Sequence, residues 1–451
     1  MVSGVGGAKS LAIWAIAYAG TAALQKGVGF VLFLWLAHSL SVEAYAKFGL
    51  LYGLQTGIAA LAVAGIIESV VGLLKEYKAD AAKQRLFDSA NTIFAMLSAG
   101  SIAVLILVYD KLVHDVNASK TELLFVTVAG VFTAFFALQA QLVRLEENHT
   151  ASLALSFFPP LVGLVAGFLS FLTGQTVSSF FGGTAVGLVV ALVPFAVGRI
   201  GSYRFTLQMR ETTPILSRIS PFILIVALGW LGGYGNTYVV QSFFTPTEVA
   251  RFTFAYTLSS IMQLVASSLN QVWSPRFFRI VHEMPVAEVE SRNRRFSAMQ
   301  GVILGVAGAI VLAVVPFATK LVGPSLASYR DLELELFFLF AAYAVSIPWW
   351  HAQNYYFAHS KGAELMNVTL ATSAIGMAGW VCAMWLLGVI GIYVGFMLLM
   401  LTRMVGALLW ARKKWSINIL WEGPVVALLL LGAGSLTAKP FANLQLWLPE
   451  H

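Results

Sequence analysis

Ionisable side chains inside long apolar segments are the residues of this sequence that could do chemistry. A charge in the middle of a membrane is costly, so each such residue is a functional candidate. Lys26 lies ten residues before Leu36, the end of its apolar segment, which is roughly 15 Å along a helix. Its helical face is otherwise made of small residues: Ala15, Ala19, Ala22 and Gly29. An ammonium with free space beside it would bind an anionic group such as a phosphate; the alternative is a lysine paired with a carbonyl or an acid in a packed seam.

Two more buried charges are candidates. Glu68 lies seven residues before Lys75, roughly 10 Å from the predicted membrane boundary. It could titrate and couple transport to an ion, or pair with a basic group at the membrane surface. Arg403 lies nine residues before Arg412 and could hold a phosphate or a sugar; the alternative is an arginine whose long side chain reaches back to the surface.

Two predicted helices also carry polar faces. The first face repeats at steps of four and three residues, which is helical spacing: Tyr256, Ser260, Gln263, Ser267, Asn270 and Ser274. The second contains Tyr343, His351 and Asn354. Such faces are unfavourable against lipid, so we expect them to face protein or water. Gln263, Asn270, His351 and Asn354 are candidate binding residues, although polar side chains also join neighbouring helices and His351 fits a structural hydrogen bond as well as a pH-sensing role.

Several other chemistries have no support in the sequence. It contains no GxxxxGK[ST], HExxH or CxxC motif and a single cysteine, Cys382, so we expect no cofactor, no metal site and no catalytic residue. The net charge is +7. In a membrane protein this charge fits basic cytoplasmic loops, and we expect no nucleic-acid partner.

The elements that must position these residues are membrane helices. Hydrophobic residues make up 59% of the 451 residues and charged residues only 11%, against roughly 25% charge in a soluble domain. A spanning helix needs about 20 mostly apolar residues. This rule predicts twelve spans: 11–36, 46–74, 89–109, 122–143, 151–173, 178–198, 218–243, 249–273, 298–319, 333–357, 365–387 and 391–410. The apolar stretch 425–436 is either a thirteenth span or an interfacial helix.

An internal repeat indicates two halves. Ala46-Lys47-Phe48 recurs as Ala250-Arg251-Phe252, and Tyr52 recurs as Tyr256, all at an offset of 204 residues. Repeats of half the chain length are typical of transporters built from two similar bundles. The sequence therefore predicts an all-α integral membrane protein, with two pseudo-repeated six-helix lobes around a central cavity. The expected domains are 1–205, 206–411 and a C-terminal tail, 412–451.

The distribution of basic residues predicts the orientation. Arginines and lysines concentrate on the loops that share a side with the N-terminus, for example Arg292, Arg294 and Arg295. Basic loops stay in the cytoplasm, so the N-terminus is expected inside. The first apolar segment is too long for a cleavable signal and is interpreted as a retained span. The longest loops, about 199–217 and 276–297, are both expected in the cytoplasm.

Several motifs resemble one family. The stretch LSVEAYAKFGLL resembles "LSPEEYGLFAL" of the polysaccharide transporters in the multidrug/oligosaccharidyl-lipid/polysaccharide flippase superfamily. Further similarities are VWSPRFFR (Val272 to Arg279), the Gly323-Pro324 break and LLGVIGIYVGF (Leu386 to Phe396). The chain departs from the family at Asn236-Thr237, where many relatives carry Asp-Arg, and at Ala46, where they carry glycine.

The resemblance implies a function and partners. It is greatest to O-antigen and exopolysaccharide repeat-unit flippases, which implies that a polyprenyl-pyrophosphate-linked oligosaccharide is moved from the cytoplasmic to the outer leaflet of the bacterial inner membrane. An ion gradient is the expected energy source. Membrane lipids, a polysaccharide polymerase and chain-length proteins are the other implied partners. The alternatives are a multidrug or peptidoglycan-precursor exporter of the same fold, or a membrane polysaccharide polymerase.

Overall fold

The described part of the chain is helical. In a computed structural model, the described residues are 4–74, 76–77, 79–199, 209–321, 324–359 and 361–443, and none of them forms a strand. Lys75, the 205/206 boundary and Gly323 of the sequence analysis lie outside them. The first ten helices are α1 (Gly4–Ser39), α2 (Val42–Ala62), α3 (Ile66–Leu74), α4 (Asp80–Leu107), α5 (Tyr109–Val116), α6 (Lys120–Leu145), α7 (His149–Gly174), α8 (Val177–Arg199), α9 (Met209–Leu231) and α10 (Asn236–Gln241). The remaining α-helices are α11 (Pro246–Glu283), α12 (Val286–Leu321), α13 (Glu333–Val345), α14 (Ile347–Ala358), α15 (Gly362–Leu387), α16 (Val389–Trp415) and α17 (Glu422–Asn443), with a 3-10 helix over Pro324–Tyr329.

Ten of the described helical segments are long and apolar enough to cross a membrane, and a pair bent by 44° (Arg210–Ile219 and Phe222–Leu231) makes up to eleven. These segments fall on predicted spans two to twelve. The first predicted span, 11–36, lies within the continuous helix α1. A membrane offers no water to backbone groups, so the chain satisfies them inside helices.

Three predicted spans are broken rather than continuous. The span 46–74 breaks between α2 and α3, where Gly65 has φ +69° and a side chain would lie 2.7 Å from Cβ of Phe222. The span 218–243 breaks at residues 232–235, a turn that contains three glycines. The span 333–357 breaks at Ser346, since Pro348 cannot continue the hydrogen-bond ladder of α13,. Periodicity alone did not show these breaks, because the apolar runs continue through them.

The predicted cytoplasmic loop 276–297 is mostly helical. α11 continues to Glu283 and α12 already begins at Val286. The two helices therefore extend beyond their predicted spans 249–273 and 298–319. This extension places polar residues of the supposed loop on fixed helix faces.

The chain divides into two compact units. The first consists of Met1–Leu32 and Glu43–Tyr238, and the second of Phe33–Val42 and Val239–His451. Helix α9 packs on α3 and α4 within the first unit, although the sequence places this span in the second lobe. The lobe limits 1–205, 206–411 and 412–451 stay a prediction.

The duplicated segment makes equivalent contacts in the two units. In the first, Lys47 Nζ lies 2.7 Å from Glu122 Oε2 in the first turn of α6. In the second, Arg251 Nη2 lies 3.4 Å from Glu335 Oε1 in the first turn of α13. The aromatic residue after each cation stacks on a tyrosine four residues later, with ring centroids 6.0 Å and 5.7 Å apart. The repeat in sequence is therefore also a repeat of side-chain contacts.

Helix α17 contains the apolar stretch 425–436 and packs against α12. The Arg294–Glu422 ion pair (2.7 Å) joins the beginning of α17 to the N-terminal part of α12. A side chain at Gly301 would lie 2.2 Å from the Gly423 carbonyl oxygen, and one at Gly434 would lie 2.6 Å from Cα of Ala309. Since both residue numbers rise along this seam, the two helices run parallel. α17 has 22 residues, roughly 33 Å of helix.

Candidate functional site

Several polar side chains of the second unit lie on helix α14 or in contact with it. It begins after the break at Ser346, whose hydroxyl donates to the Tyr343 carbonyl oxygen (2.7 Å). It packs on α11, α12 and α16. Its side chains Trp349, His351 and Asn354 each meet a polar or charged residue of one of these three helices.

Arg403 of α16 lies over Trp349. The guanidinium carbon is 5.4 Å from the centroid of the Trp349 ring, within the range of a cation–π contact,. Its Nε is buried and has no hydrogen-bond partner among the described residues. Tyr256 and Tyr343 are its electrostatic neighbours, and no described carboxylate forms an ion pair with it. Arg403 thus offers hydrogen-bond donors that no described protein group uses, and a phosphate or sugar oxygen can accept from such donors.

The two predicted polar faces meet at Asn354. Its side-chain Nδ2 donates to Asn270 Oδ1 (2.9 Å), and its Oδ1 accepts from the Ser274 hydroxyl (2.8 Å). Asn354 is buried, whereas Asn270 and Ser274 are half-buried. The amide groups therefore join α11 to α14 in this structure. Their partly exposed edge remains able to bind a polar ligand.

His351 contacts α12. One ring nitrogen, Nε2, lies 2.9 Å from Gln300 Oε1, and both residues are buried. The ring also packs edge-on against Phe296, with centroids 6.1 Å apart. The sequence analysis allows two roles for His351, a structural hydrogen bond or pH sensing. The contact with Gln300 corresponds to the first.

Glu290 is a buried carboxylate that sequence reasoning missed. It accepts hydrogen bonds from the Tyr355 hydroxyl, from Asn293 Nδ2 (3.3 Å) and from the backbone N–H of Asn418 (2.8 Å). Asn293 in turn accepts from Trp273 Nε1 (3.1 Å). Glu290 falls in the segment predicted to be a loop, so its burial could not be expected. The available signal was its position two helical turns before the apolar run, because a helix that begins before the predicted span would include it.

Three other candidates are not part of this cluster. The side chains of Lys26 on α1, Glu68 in the first turn of α3 and Gln263 on α11 are all exposed. Beside Lys26, the side chains of the predicted small-residue face lie outside the described ones, except Gly29, which is buried near Leu164 of α7. The roles of Lys26, Glu68 and Gln263 stay predictions. Among the described residues, no three His, Cys, Asp or Glu side chains group closely enough to hold a metal ion.

Comparison with known proteins gives a family match. A family model described as "Polysaccharide biosynthesis protein" matches residues 14–281, which is more than half of the chain. No curated protein matches the chain in sequence.

Solved structures match over nearly the whole chain. One is an inward-facing multidrug resistance MATE family transporter of the MOP superfamily, with 15% identity and a TM-score of 0.68, covering 89% of this chain and 98% of that one. Another is the lipid II flippase MurJ in an inward closed conformation, with 11% identity and a TM-score of 0.69, covering 97% and 94%. A variant of the Vibrio cholerae MATE transporter VcmN has 16% identity and a TM-score of 0.54, covering 92% and 99%.

These matches fit the helical architecture. At such low identity, similarity to solved structures shows the fold alone. The fold class predicted from the sequence, an all-α integral membrane protein, is confirmed, and the count of twelve spans is not. With its family model matched over most of its length, the chain is a multi-pass membrane protein with the fold of MOP-superfamily transporters, and it belongs to the polysaccharide biosynthesis protein family.

Proposed function

We propose that the protein is a flippase for a polyprenyl-pyrophosphate-linked oligosaccharide repeat unit, which it moves from the cytoplasmic to the outer leaflet of the bacterial inner membrane. The match to the polysaccharide biosynthesis family over residues 14–281 carries this proposal. Similarity of the whole fold to a lipid II flippase supports it, because that protein's named substrate is also a lipid. The cycle is alternating access driven by an ion gradient, and Glu68 is the candidate coupling residue.

The second unit supplies groups suited to such a substrate. Arg403 has unused donors beside an aromatic ring, and an arginine fork matches phosphate oxygens. Amides such as Asn270 and Asn354 present donors and acceptors of the kind that bind sugar hydroxyls. His351 and Gln263 are further candidate contacts, and Lys26 is the candidate cation of the first unit.

The charge of the site favours an anionic substrate over a drug cation. Arg403 has no described acidic partner, so a cationic drug would meet an unneutralised positive charge. A peptidoglycan precursor would suit the same cation, since it is also a pyrophosphate. The family match favours the polysaccharide repeat unit. A polymerase and chain-length proteins are the proposed partners downstream of transport.

Deletion of the gene tests the proposal. Cells that lack the protein are extracted for lipid-linked sugars, and a membrane-impermeant sugar-modifying reagent reports which leaflet holds them. We expect single repeat units to accumulate in the inner leaflet and surface polymer to disappear, with recovery on expression of the wild-type chain. Single repeats that reach the outer leaflet without polymer would support a polymerase instead. Unchanged lipids and polymer would contradict both roles.

A further inference from the structure

The chain contains a second repeated segment besides the one at Ala46-Lys47-Phe48 and Ala250-Arg251-Phe252. Asp88-Ser89-Ala90-Asn91 on α4 recurs as Glu290-Ser291-Arg292-Asn293 on α12. A phenylalanine follows each asparagine by three residues, Phe94 in the first copy and Phe296 in the second. The acid, the serine, the asparagine and the phenylalanine all recur at one constant offset. Both copies begin just before the apolar part of the third predicted span in their half.

Each copy makes one hydrogen bond and one ring contact with the fourth predicted span of its unit, and the asparagine accepts in the first unit but donates in the second. In the first unit, Gln139 Nε2 of α6 donates to Asn91 Oδ1 (2.8 Å), and the rings of Phe94 and Phe135 are 6.0 Å apart. In the second unit, Asn293 Nδ2 donates to the Tyr355 hydroxyl of α14 (3.4 Å). The rings of Phe296 and His351 are 6.1 Å apart.

The contacted residues have the same spacing in both units. Phe135 precedes Gln139 by four residues, as His351 precedes Tyr355. On α6 and on α14, the ring and the polar group therefore lie about one helical turn apart. Both face the partner helix, which is α4 in the first unit and α12 in the second. In both units the asparagine and the phenylalanine of one helix thus meet a polar group and a ring of the other, and these residues, with the acid three positions before the asparagine, form one module. His351, a candidate ligand by sequence, occupies in this module the position of a packing phenylalanine.

The carboxylates in the module have no described basic partner. Asp88 accepts from Gln84 Nε2 (3.0 Å), and Glu290 accepts from Tyr355, Asn293 and the Asn418 backbone. Both acids are buried. A buried acid held only by neutral donors is costly to keep, and the chain keeps one at this position in each unit. The longer Glu290 reaches Tyr355 on α14 directly, whereas the described hydrogen bond of the Asp88 side chain stays within α4.

We propose that this repeated module is a latch that fixes α4 to α6 in the first unit and α12 to α14 in the second. Glu290, Asn293 and Tyr355 are then positioning residues for α14. Helix α14 carries Trp349, His351 and Asn354, so the latch sets where the candidate substrate contacts lie. This role rests on the proposed function only insofar as α14 contacts substrate. The latch itself is a property of each unit.

The latch of the second unit is tested with matched variants in the deletion strain. Glu290→Gln and Tyr355→Phe each remove part of the hydrogen-bond set while keeping side-chain size. Glu288→Gln is the control for the acid, because Glu288 is on the same helix and pairs only at the surface with Arg292 (2.8 Å). Tyr356→Phe is the control for the tyrosine, because its buried hydroxyl has no described hydrogen-bond partner. We expect surface polymer to fall about tenfold or more in the latch variants at normal protein levels, and to stay unchanged in the controls.

A swap in the first unit separates positioning from any chemistry of a single side chain. Asn91→Gln makes the amide pair one methylene longer, and Gln139→Asn makes it one methylene shorter. The double variant exchanges the two amides and restores the combined length of the pair. We expect both single variants to lose transport and the double variant to recover it. A double variant no better than either single variant, or single variants with full transport, would overturn the latch.

A substrate-free measurement keeps the latch distinguishable from the proposed function. The midpoint of thermal unfolding of the purified full chain in detergent is compared for Glu290→Gln, Tyr355→Phe and their combination. We expect each single variant to lower the midpoint by several degrees and the combination to lower it by no more than the larger single effect. Additive shifts would refute the latch whatever the substrate is. Coupled shifts in a protein whose deletion leaves lipid-linked sugars unchanged would keep the latch and refute the flippase.

Discussion

Replacing Arg403 by methionine removes the cation of the candidate site and keeps an unbranched, flexible side chain. The guanidinium lies 5.4 Å from the Trp349 ring centroid, and its buried Nε has no described hydrogen-bond partner. We predict that Arg403→Met folds and inserts normally but transports poorly. The two halves of this prediction have separate physical reasons.

The effect on folding is small because two terms oppose each other. Loss of the cation–π contact costs about 0.5–2 kcal/mol. Removal of a buried donor that has no partner returns about 1–3 kcal/mol. The net change is about zero within these ranges, so the amount of folded protein in the membrane should match that of the wild type.

The effect on transport is large because the substrate loses charge-assisted hydrogen bonds. Such bonds contribute about 1.5–3 kcal/mol each, and about 1.4 kcal/mol is a factor of ten. Loss of one such bond to the pyrophosphate therefore lowers transport by roughly 10- to 150-fold, and loss of two by roughly 150-fold or more. Arg403→Lys keeps the charge but not the planar fork, so its transport should fall between those of the wild type and Arg403→Met.

The assay is quantification of surface polysaccharide and of lipid-linked repeat units in the complemented deletion strain. Arg412→Met is the matched control, since Arg412 is exposed at the end of the same helix. Full transport by Arg403→Met at wild-type protein levels would refute the assignment of Arg403 to substrate. A matching loss of protein from the membrane would refute the folding argument.

Three further predictions concern other parts of the chain. Lys26→Gln should abolish transport while membrane insertion, measured by carbonate extraction, stays normal; transport at the wild-type level would remove Lys26 from the account. Lys47→Met should destabilise the detergent-solubilised protein by about 3 kcal/mol, because buried Glu122 loses its partner,, and adding Glu122→Gln should recover part of the unfolding midpoint; equal midpoints for the single variant and the wild type would contradict the ion pair's role. Helix α17 runs parallel to the spanning helix α12, so it should be a thirteenth span, and a reporter fused after residue 451 should be active on the side opposite the N-terminus; activity on the same side would make α17 interfacial.

Much of the fold follows from apolar length and composition. The described spans coincide with apolar runs because only helices satisfy the backbone in a membrane. The duplicated cation, Lys47 in one half and Arg251 in the other, pointed correctly to equivalent positions, and each pairs with an acid at the start of a later helix. Helical spacing also predicted that the face with Asn270 and the face with Asn354 would each meet protein or water rather than lipid.

The parts of the structure that the sequence did not predict are local backbone breaks and contacts between distant segments. The breaks at Gly65 and Ser346 are local backbone events inside continuous apolar runs, so hydropathy cannot show them. Glu290 was hidden because a charged segment next to a span looks like a loop until α11 and α12 are seen to extend through it. The partners of His351 and Asn354 lie on other helices, and the order of residues in one chain does not say which faces meet.

The most direct test of the account is the leaflet distribution of lipid-linked single repeat units in cells with and without this protein. We expect loss of the protein to leave these lipids protected from an impermeant reagent, and we expect the wild-type chain, but not Arg403→Met, to expose them. Repeat units that reach the outer leaflet equally well without the protein would contradict the flippase assignment.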